Sequence, residues 1–126
     1  AKRQLVMPAV LRSEDGLSYA VDPKKAAGIF YHDCELKSVD YALARLGPQP
    51  ILPQTTPVEL GVNYDSVPRS YILCKDDHAI PPEEQERFVA DWPEKDVYRL
   101  DCGHSPFLNQ PEALARLLKK ITEGTT

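Results

Sequence analysis

Two short β-prone runs lie near the start of the chain, on either side of a turn signal. They are residues 10–12 and 17–21, and Glu14-Asp15-Gly16 stands between them. An Asp-Gly pair in this position favours a tight turn because both residue types tolerate positive φ. The pattern predicts a β-hairpin.

Two short helices, each apolar on one side, are predicted after the hairpin. The pair Asp22-Pro23 is typical of an N-cap followed by a first-position proline, which predicts a helix from Pro23 to about Asp33. The next helix opens at Glu35 or Ser38 and closes at Gly47-Pro48. Its stripe has the i, i+3, i+4, i+7 spacing of Val39, Ala42, Leu43 and Leu46.

A proline-rich connector is expected between residues 47 and 68. It carries five prolines and no helical period, so the sequence predicts an ordered connection without elements of its own. Beyond it, residues 70–74 form a continuous apolar run, typical of a strand that is buried on both faces. Residues 97–100 are predicted to form a second strand.

A helix is predicted after each of these two strands. The prolines and acids at 81–84 open the first helix, with Phe88, Val89 and Trp92 on its apolar face. Pro111 opens the second, whose apolar side consists of Ala113, Leu114, Leu117, Leu118 and Ile121. Strand, helix, strand, helix is the α/β class, and two strands are too few for such a sheet.

Composition narrows the classes of function. A length of 126 residues, 42% of them hydrophobic, fits one domain. The formal charge of −4 and the scattered basic residues disfavour nucleic acid as a partner. No apolar run approaches the roughly 18 residues of a membrane helix, and the apolar start is too short for a signal peptide. A soluble, cytoplasmic protein without membrane contact is expected.

The cysteines give no sign of a metal or redox site. Cys34, Cys74 and Cys102 are an odd number at wide spacing, without a C-x-x-C pair. Reduced thiols are expected, and no metal or organic cofactor is predicted.

Polar side chains that could carry chemistry follow both predicted strands. Asp76, Asp77 and His78 come after the first, and residues 102–105, which include His104, come after the second. Active-site groups of open α/β sheets collect beyond the carboxyl ends of the strands. There a carboxylate can orient an imidazole and stabilise its protonated form, which is two thirds of a hydrolytic triad. Spacing alone leaves open that Asp77 is merely a carboxylate at the start of a helix and that His104 is an ordinary loop histidine.

The segments around these residues resemble a known family. Residues 67–81, VPRSYILCKDDHAIP, followed by EQER at 84–87, resemble the acid-bearing strand and next helix of α/β-hydrolases of the methyl salicylate esterase and hydroxynitrile lyase group. Residues 100–108, LDCGHSPFL, followed by QPE at 110–112, are similar to its histidine loop and final helix. FYHDC at 30–34 and LARL at 43–46 resemble the lid of its bacterial esterases.

The resemblance implies a fold, a division of the chain and two site residues. Residues 1–66 match the lid, or cap, with its hairpin and two helices, and residues 67–126 match the last strands and helices of the core. Asp77 matches the triad acid and His104 the general base, which predicts hydrolysis of a small-molecule ester with activity falling on the acid side of neutrality. Ser105 stands where lyases of the group carry a lysine, which favours an esterase over a lyase.

One part of the family's machinery has no counterpart in this sequence. The nucleophilic serine should lie on a G-x-S-x-G turn, yet no two of the six glycines are four residues apart. The resemblance therefore implies the C-terminal half of a hydrolase whose N-terminal half supplies the serine and the oxyanion donors. The chain alone is expected to be inactive, and a homo-oligomer stays open.

Four alternatives remain at this point. A Cys102–His104 pair could act as nucleophile and base, and Ser105 could be mistaken for a nucleophile. His32, Asp33 and Cys34 are residue types that bind metals, although adjacent residues share one ion poorly. Finally, a hydrolase-like module could bind a partner without catalysis, through a sheet edge or the apolar lid helices.

Overall fold

A computed structural model describes residues 6–124 of the chain. The strands are β1 (Val10–Arg12), β2 (Ser18–Val21), β3 (Gln49–Pro50), β4 (Tyr71–Cys74) and β5 (Val97–Leu100). The α-helices are α1 (Pro23–Phe30), α2 (Leu36–Leu43), α3 (Leu52–Thr55), α4 (Val62–Ser66), α5 (Pro82–Phe88), α6 (Pro106–Asn109) and α7 (Pro111–Glu123). Two 3₁₀ turns are Met7–Ala9 and Glu94–Asp96.

The hairpin is present where the sequence predicts it. Strands β1 and β2 pair antiparallel. Gly16 adopts a φ of +72° in the turn, a conformation that an L side chain rarely takes. The Asp15 carboxylate accepts hydrogen bonds from the Leu17 N–H and the Ser13 hydroxyl, which fixes the turn.

The expectation of a connector without elements is wrong. Strand β3 pairs antiparallel with β2, and the short helices α3 and α4 follow it. These elements have two, four and five residues, which is too short for a hydrophobic period to show. Proline fits the first turn of α3, where no backbone N–H is needed.

Helices α1 and α2 begin as predicted and end earlier. Asp22 caps α1, because its carboxylate accepts a hydrogen bond of 2.9 Å from the Lys24 N–H. Helix α1 ends at Phe30 and not near Asp33, because the Tyr31 backbone leaves the helical region at φ −135° and ψ 23°. Glu35 is the N-cap of α2, which ends at Leu43.

The two predicted strands of the second half form a parallel pair. β4 and β5 are in register, with α5 in the crossover. The expectation that the first of these strands, β4, is buried on both faces is wrong. Of its four residues only Leu73 is buried, and the other three are half-buried. The reason is that a two-stranded sheet leaves both edges and much of each face uncovered. Val89 is buried as predicted, whereas Phe88 and Leu118 are exposed.

A small apolar cluster joins the hairpin and α1 to the loop after β4. Ala9, Ile29 and Ala79 are buried together, with Val21 and Phe30 packed against them. Ala79 lies two residues after Asp77, so this cluster fixes the acid loop against the hairpin and α1. Within residues 6–124, no helix has both the length and the apolar character needed to cross a bilayer.

Candidate active site

The two residues that the sequence singles out lie in contact. The Nδ1 atom of His104 is 2.9 Å from Oδ2 and 3.1 Å from Oδ1 of Asp77. Asp77 follows β4 and His104 follows β5, so the parallel pair places both loops at one edge of the sheet. A carboxylate only accepts, so Nδ1 carries the proton in the neutral ring and Nε2 keeps its lone pair.

Asp77 is held in one orientation by its surroundings. Its side chain is 5% exposed. Oδ1 accepts hydrogen bonds of 2.7 and 3.0 Å from the backbone N–H groups of Ala79 and Ile80. Burial by itself would raise the pKa of Asp77, but the hydrogen bonds from His104 and Ile80 outweigh it and lower the pKa. Asp77 is therefore an ionised carboxylate at neutral pH.

Gln85 on α5 ties the acid loop to the end of β4. It is 2% exposed. Its amide donates to the carbonyl oxygens of Ile80 (2.7 Å) and Cys74 (3.2 Å) and to Asp77 Oδ2 (3.4 Å), while its own oxygen accepts from the Cys74 N–H. The apolar period of α5 does not single out Gln85, because the period marks apolar residues as buried and Gln85 is a buried polar residue.

Replacing Gln85 by leucine is expected to lower the free energy of unfolding by about 2–4 kcal/mol. The change removes the side-chain partner of the part-buried Cys74 N–H and Ile80 carbonyl, at about 1–3 kcal/mol for each group left unsatisfied. Urea denaturation followed by circular dichroism measures the difference. The matched control is Gln54→Leu, which removes one exposed hydrogen bond to Tyr19 and should cost less than about 0.5 kcal/mol. Equal losses in the two variants would contradict the role given to Gln85.

His104 opens onto an apolar cavity between the hairpin and the helices α1 and α2. The cavity has a volume of about 470 Å³ and includes the side chains of Leu11, Val21, Phe30, Leu43, Leu46 and Ile80. The rings of Phe30 and His104 have centroids 5.4 Å apart. Among the described residues, no Asp, Glu, Lys or Arg lines this cavity. The imidazole therefore lies at the boundary between a buried carboxylate and a space suited to an uncharged group.

The turn that follows α1 touches both loops that carry the pair. The Asp33 carboxylate accepts hydrogen bonds of 2.6 Å from the Gly103 N–H and 2.7 Å from the Asn109 amide. His32 Nε2 is 3.0 Å from Asp76 Oδ2 on the other loop. Gly103 is buried under this turn. A Cβ on Gly103 would lie 2.6 Å from His32 Cε1 and 2.7 Å from Asp33 Oδ1, so the close approach requires glycine.

Gly103→Ala is expected to destabilise the protein by about 1–3 kcal/mol, the usual cost of overpacking. The added methyl pushes His32 and Asp33 away from the histidine loop. Gly47→Ala is the matched control, because a Cβ there meets nothing within 4 Å. Thermal unfolding of both variants under the same conditions measures the effect, and a Gly103→Ala protein as stable as Gly47→Ala would contradict the packing described.

The structure disfavours both nucleophiles that the sequence leaves open. Cys102 is 3% exposed, and burial together with a hydrogen bond to Cys74 raises the pKa of its thiol. A buried thiol with a raised pKa is a poor nucleophile. Ser105 is 2% exposed and cannot meet a substrate in this conformation.

The residues that could bind a metal are not grouped as the sequence suggests, with His32, Asp33 and Cys34 together. His32 lies with Asp76 and His78, one ligand atom of each within 4.8 Å of the others, while Asp33 points to Gly103 and Asn109. The two imidazole rings are stacked, 3.6 Å apart and 8° from parallel. The lone pair of each ring nitrogen lies in the plane of its own ring, and these two planes are parallel and separate. One Zn²⁺ therefore cannot lie about 2.0–2.1 Å from a nitrogen of each ring unless the stack breaks.

Comparison with known proteins assigns the chain to a family. The profile described as "Alpha/beta hydrolase family" matches residues 3–117. The chain belongs to the alpha/beta hydrolase family. It is 31% identical over 107 residues to an alpha/beta hydrolase of Aspergillus novofumigatus, covering 84% of this chain and 42% of that protein. It is 33% identical over 109 residues to methylesterase 17 of Arabidopsis thaliana, covering 82% and 39%.

Among solved structures, a pyrethroid hydrolase from Sphingobium faniae shares the fold. The TM-score is 0.80 at 21% identity, over 94% of this chain and 48% of that one. The α/β-hydrolase fold and the methylesterase-like group expected from the sequence are thus confirmed. The chain spans about two fifths of the length of the curated relatives named above, and about half that of the solved structure.

Proposed function

We propose that this chain supplies the acid and the base of a serine carboxylesterase. The observation that carries the proposal is the contact of 2.9 Å between buried Asp77 and half-buried His104 beside an apolar cavity. The serine and the oxyanion donors come from an N-terminal half that lies outside this sequence. The kinship with plant methylesterases supports ester hydrolysis as the reaction.

The proton moves through His104 in both halves of the reaction. Nε2 takes the proton of the serine hydroxyl as the serine oxygen attacks the ester carbonyl. The imidazolium then gives this proton to the alcohol oxygen as the carbon–oxygen bond breaks, leaving an acyl-enzyme. Water repeats the sequence and releases the carboxylic acid. Asp77 stays ionised throughout, and it holds the ring in the required tautomer.

The substrate is an uncharged ester with an apolar acyl or alcohol group. The lining of the cavity supports this choice, because Leu11, Phe30 and Leu43 offer no partner to a charge. Cyanide release is the weaker alternative, since Ser105 replaces the lysine that the resemblance assigns to lyases and is itself buried.

Two features support a partner half over a free-standing binding module. The parallel sheet has two strands, and three of the four β4 residues are half-buried apolar side chains that further strands would cover. Large apolar side chains are also exposed along the segment between β3 and β4, namely Leu52, Val58, Leu60, Val62, Tyr64 and Val67.

Hydrolysis of a p-nitrophenyl ester tests the proposal. The chain by itself should release no nitrophenolate above the buffer rate, and the complete enzyme, with both halves joined or mixed, should turn the ester over. Size-exclusion chromatography of the separate and mixed halves shows whether they assemble. Turnover by the chain alone that depends on His104 would contradict the division of the triad. If the chain is a folded monomer that does not bind the N-terminal half, the result would favour the binding module.

A further inference from the structure

The turn that follows α1 is joined to the histidine loop by one carboxylate across 70 residues of sequence. Asp33 Oδ2 lies 2.6 Å from the Gly103 nitrogen and 2.7 Å from the Asn109 side-chain nitrogen. Gly103 directly precedes His104, and Asn109 ends α6 directly after the loop. The carboxylate thus binds the loop at both ends of the segment that carries the imidazole.

These contacts restrain the backbone that places His104. No hydrogen bond within the chain's helices or strands uses the Gly103 N–H, so Asp33 is its partner. Charge-assisted hydrogen bonds of this length are about twice as strong as neutral ones. On the other loop, the Asp76 N–H donates to the Cys102 carbonyl at 3.0 Å, which ties the acid loop to the same stretch of chain.

We infer that Asp33 is a positioning residue for His104, an inference that rests on the proposed function. Its carboxylate fixes Gly103, Gly103 fixes the start of the histidine loop, and the loop holds the imidazole against Asp77 with Nε2 toward the cavity. Asp33 touches neither substrate nor reacting atoms. It acts on the rate because a shift of about 1 Å in a catalytic group can cost about a hundredfold.

The test compares Asp33→Ala, Asp33→Asn and the control Asp40→Ala in the complete enzyme. Asp40 is exposed on α2, and its side chain makes no hydrogen bond or ion pair among the described residues. Asp33→Ala should lower kcat about 10- to 100-fold and change KM by less than about threefold, because the loop moves and the cavity does not. Asp33→Asn can keep its oxygen in the Oδ2 position, where it still accepts from the Gly103 N–H and the Asn109 amide but without the charge, so kcat should lie between that of Asp33→Ala and that of the unchanged enzyme.

Amide hydrogen exchange gives a second reading that needs no catalysis. The Gly103 N–H should exchange at least about tenfold faster in Asp33→Ala than in Asp40→Ala, while the strands β4 and β5 keep their protection. If Asp33→Ala unfolds, Asp33→Asn carries the test through its intermediate kcat and intermediate exchange rate.

The outcomes separate the two proposals. If His104→Ala abolishes turnover while Asp33→Ala keeps both its kcat and its Gly103 protection, the positioning role is wrong and the proposed function stands. An unchanged kcat with lost protection would also contradict the inference, because Asp33 would then hold the loop without affecting the base. If His104→Ala retains turnover, the proposed function itself fails.

Discussion

His104→Ala is expected to lower kcat/KM of the complete enzyme for a p-nitrophenyl ester by about 10⁵- to 10⁶-fold. Without the imidazole, nothing within reach of the serine accepts its proton, so the hydroxyl stays a weak nucleophile. The cavity loses the imidazole from its wall and keeps its apolar side chains, so substrate binding should change little. Steady-state kinetics over a range of ester concentrations measures both parameters.

A His104→Ala enzyme within about tenfold of the unchanged one would contradict His104 as the general base.

Asp77→Asn is expected to lower kcat by about 10⁴-fold at neutral pH. The asparagine oxygen can still accept from the Ala79 and Ile80 N–H groups, which turns the new NH₂ toward His104 Nδ1. Two donors then face each other, so the ring adopts the tautomer with its proton on Nε2, and the lone pair that accepts the serine proton is lost. Asp101→Asn is the matched control, because Asp101 lies at the end of the neighbouring strand with its side chain 86% exposed.

The ionised Asp77 carboxylate should also affect how the free energy of unfolding depends on pH. The pKa of Asp77 is lowered in the folded protein from 3.8, so its charge stabilises the native state above that pH and the stabilisation is lost as pH falls through the folded pKa. The difference in unfolding free energy between Asp77→Asn and the unchanged protein should thus be full at pH 7 and shrink below about pH 3.8. A difference that grows toward low pH would contradict an ionised Asp77.

Local signals in the sequence predict much of this structure. The hairpin, the start of α1 at Asp22-Pro23, the parallel pair and α7 all depend on turn residues, caps or apolar periods within one segment. Local position brings forward Asp76, Asp77 and His104 as candidates, because they lie in the loops after the two strands, and the resemblance to the family selects Asp77 and His104 among them. What remains out of reach is β3, which is two residues long and exists only because β2 offers it a pairing edge.

The residues that hold the site together could not be found in this way. Asp33 looks like the end of a helix, and its partner Gly103 is 70 residues away. Gln85 occupies a polar position in a short helix and is buried because the loop after β4 folds over it. In both cases the hydrogen bonds form between distant segments, so no spacing within either segment reveals them. Helix α1 also ends earlier than its helical period predicts.

Labelling of the complete enzyme with a fluorophosphonate, followed by peptide mass spectrometry, tests the central claim most directly. This reagent phosphonylates a serine whose proton is removed by a neighbouring histidine. We predict one adduct, on a serine outside these 126 residues, formed at least about 10³-fold more slowly in His104→Ala and in Asp77→Asn. An adduct on Ser105 or Cys102, or labelling that proceeds equally fast without His104, would contradict the account.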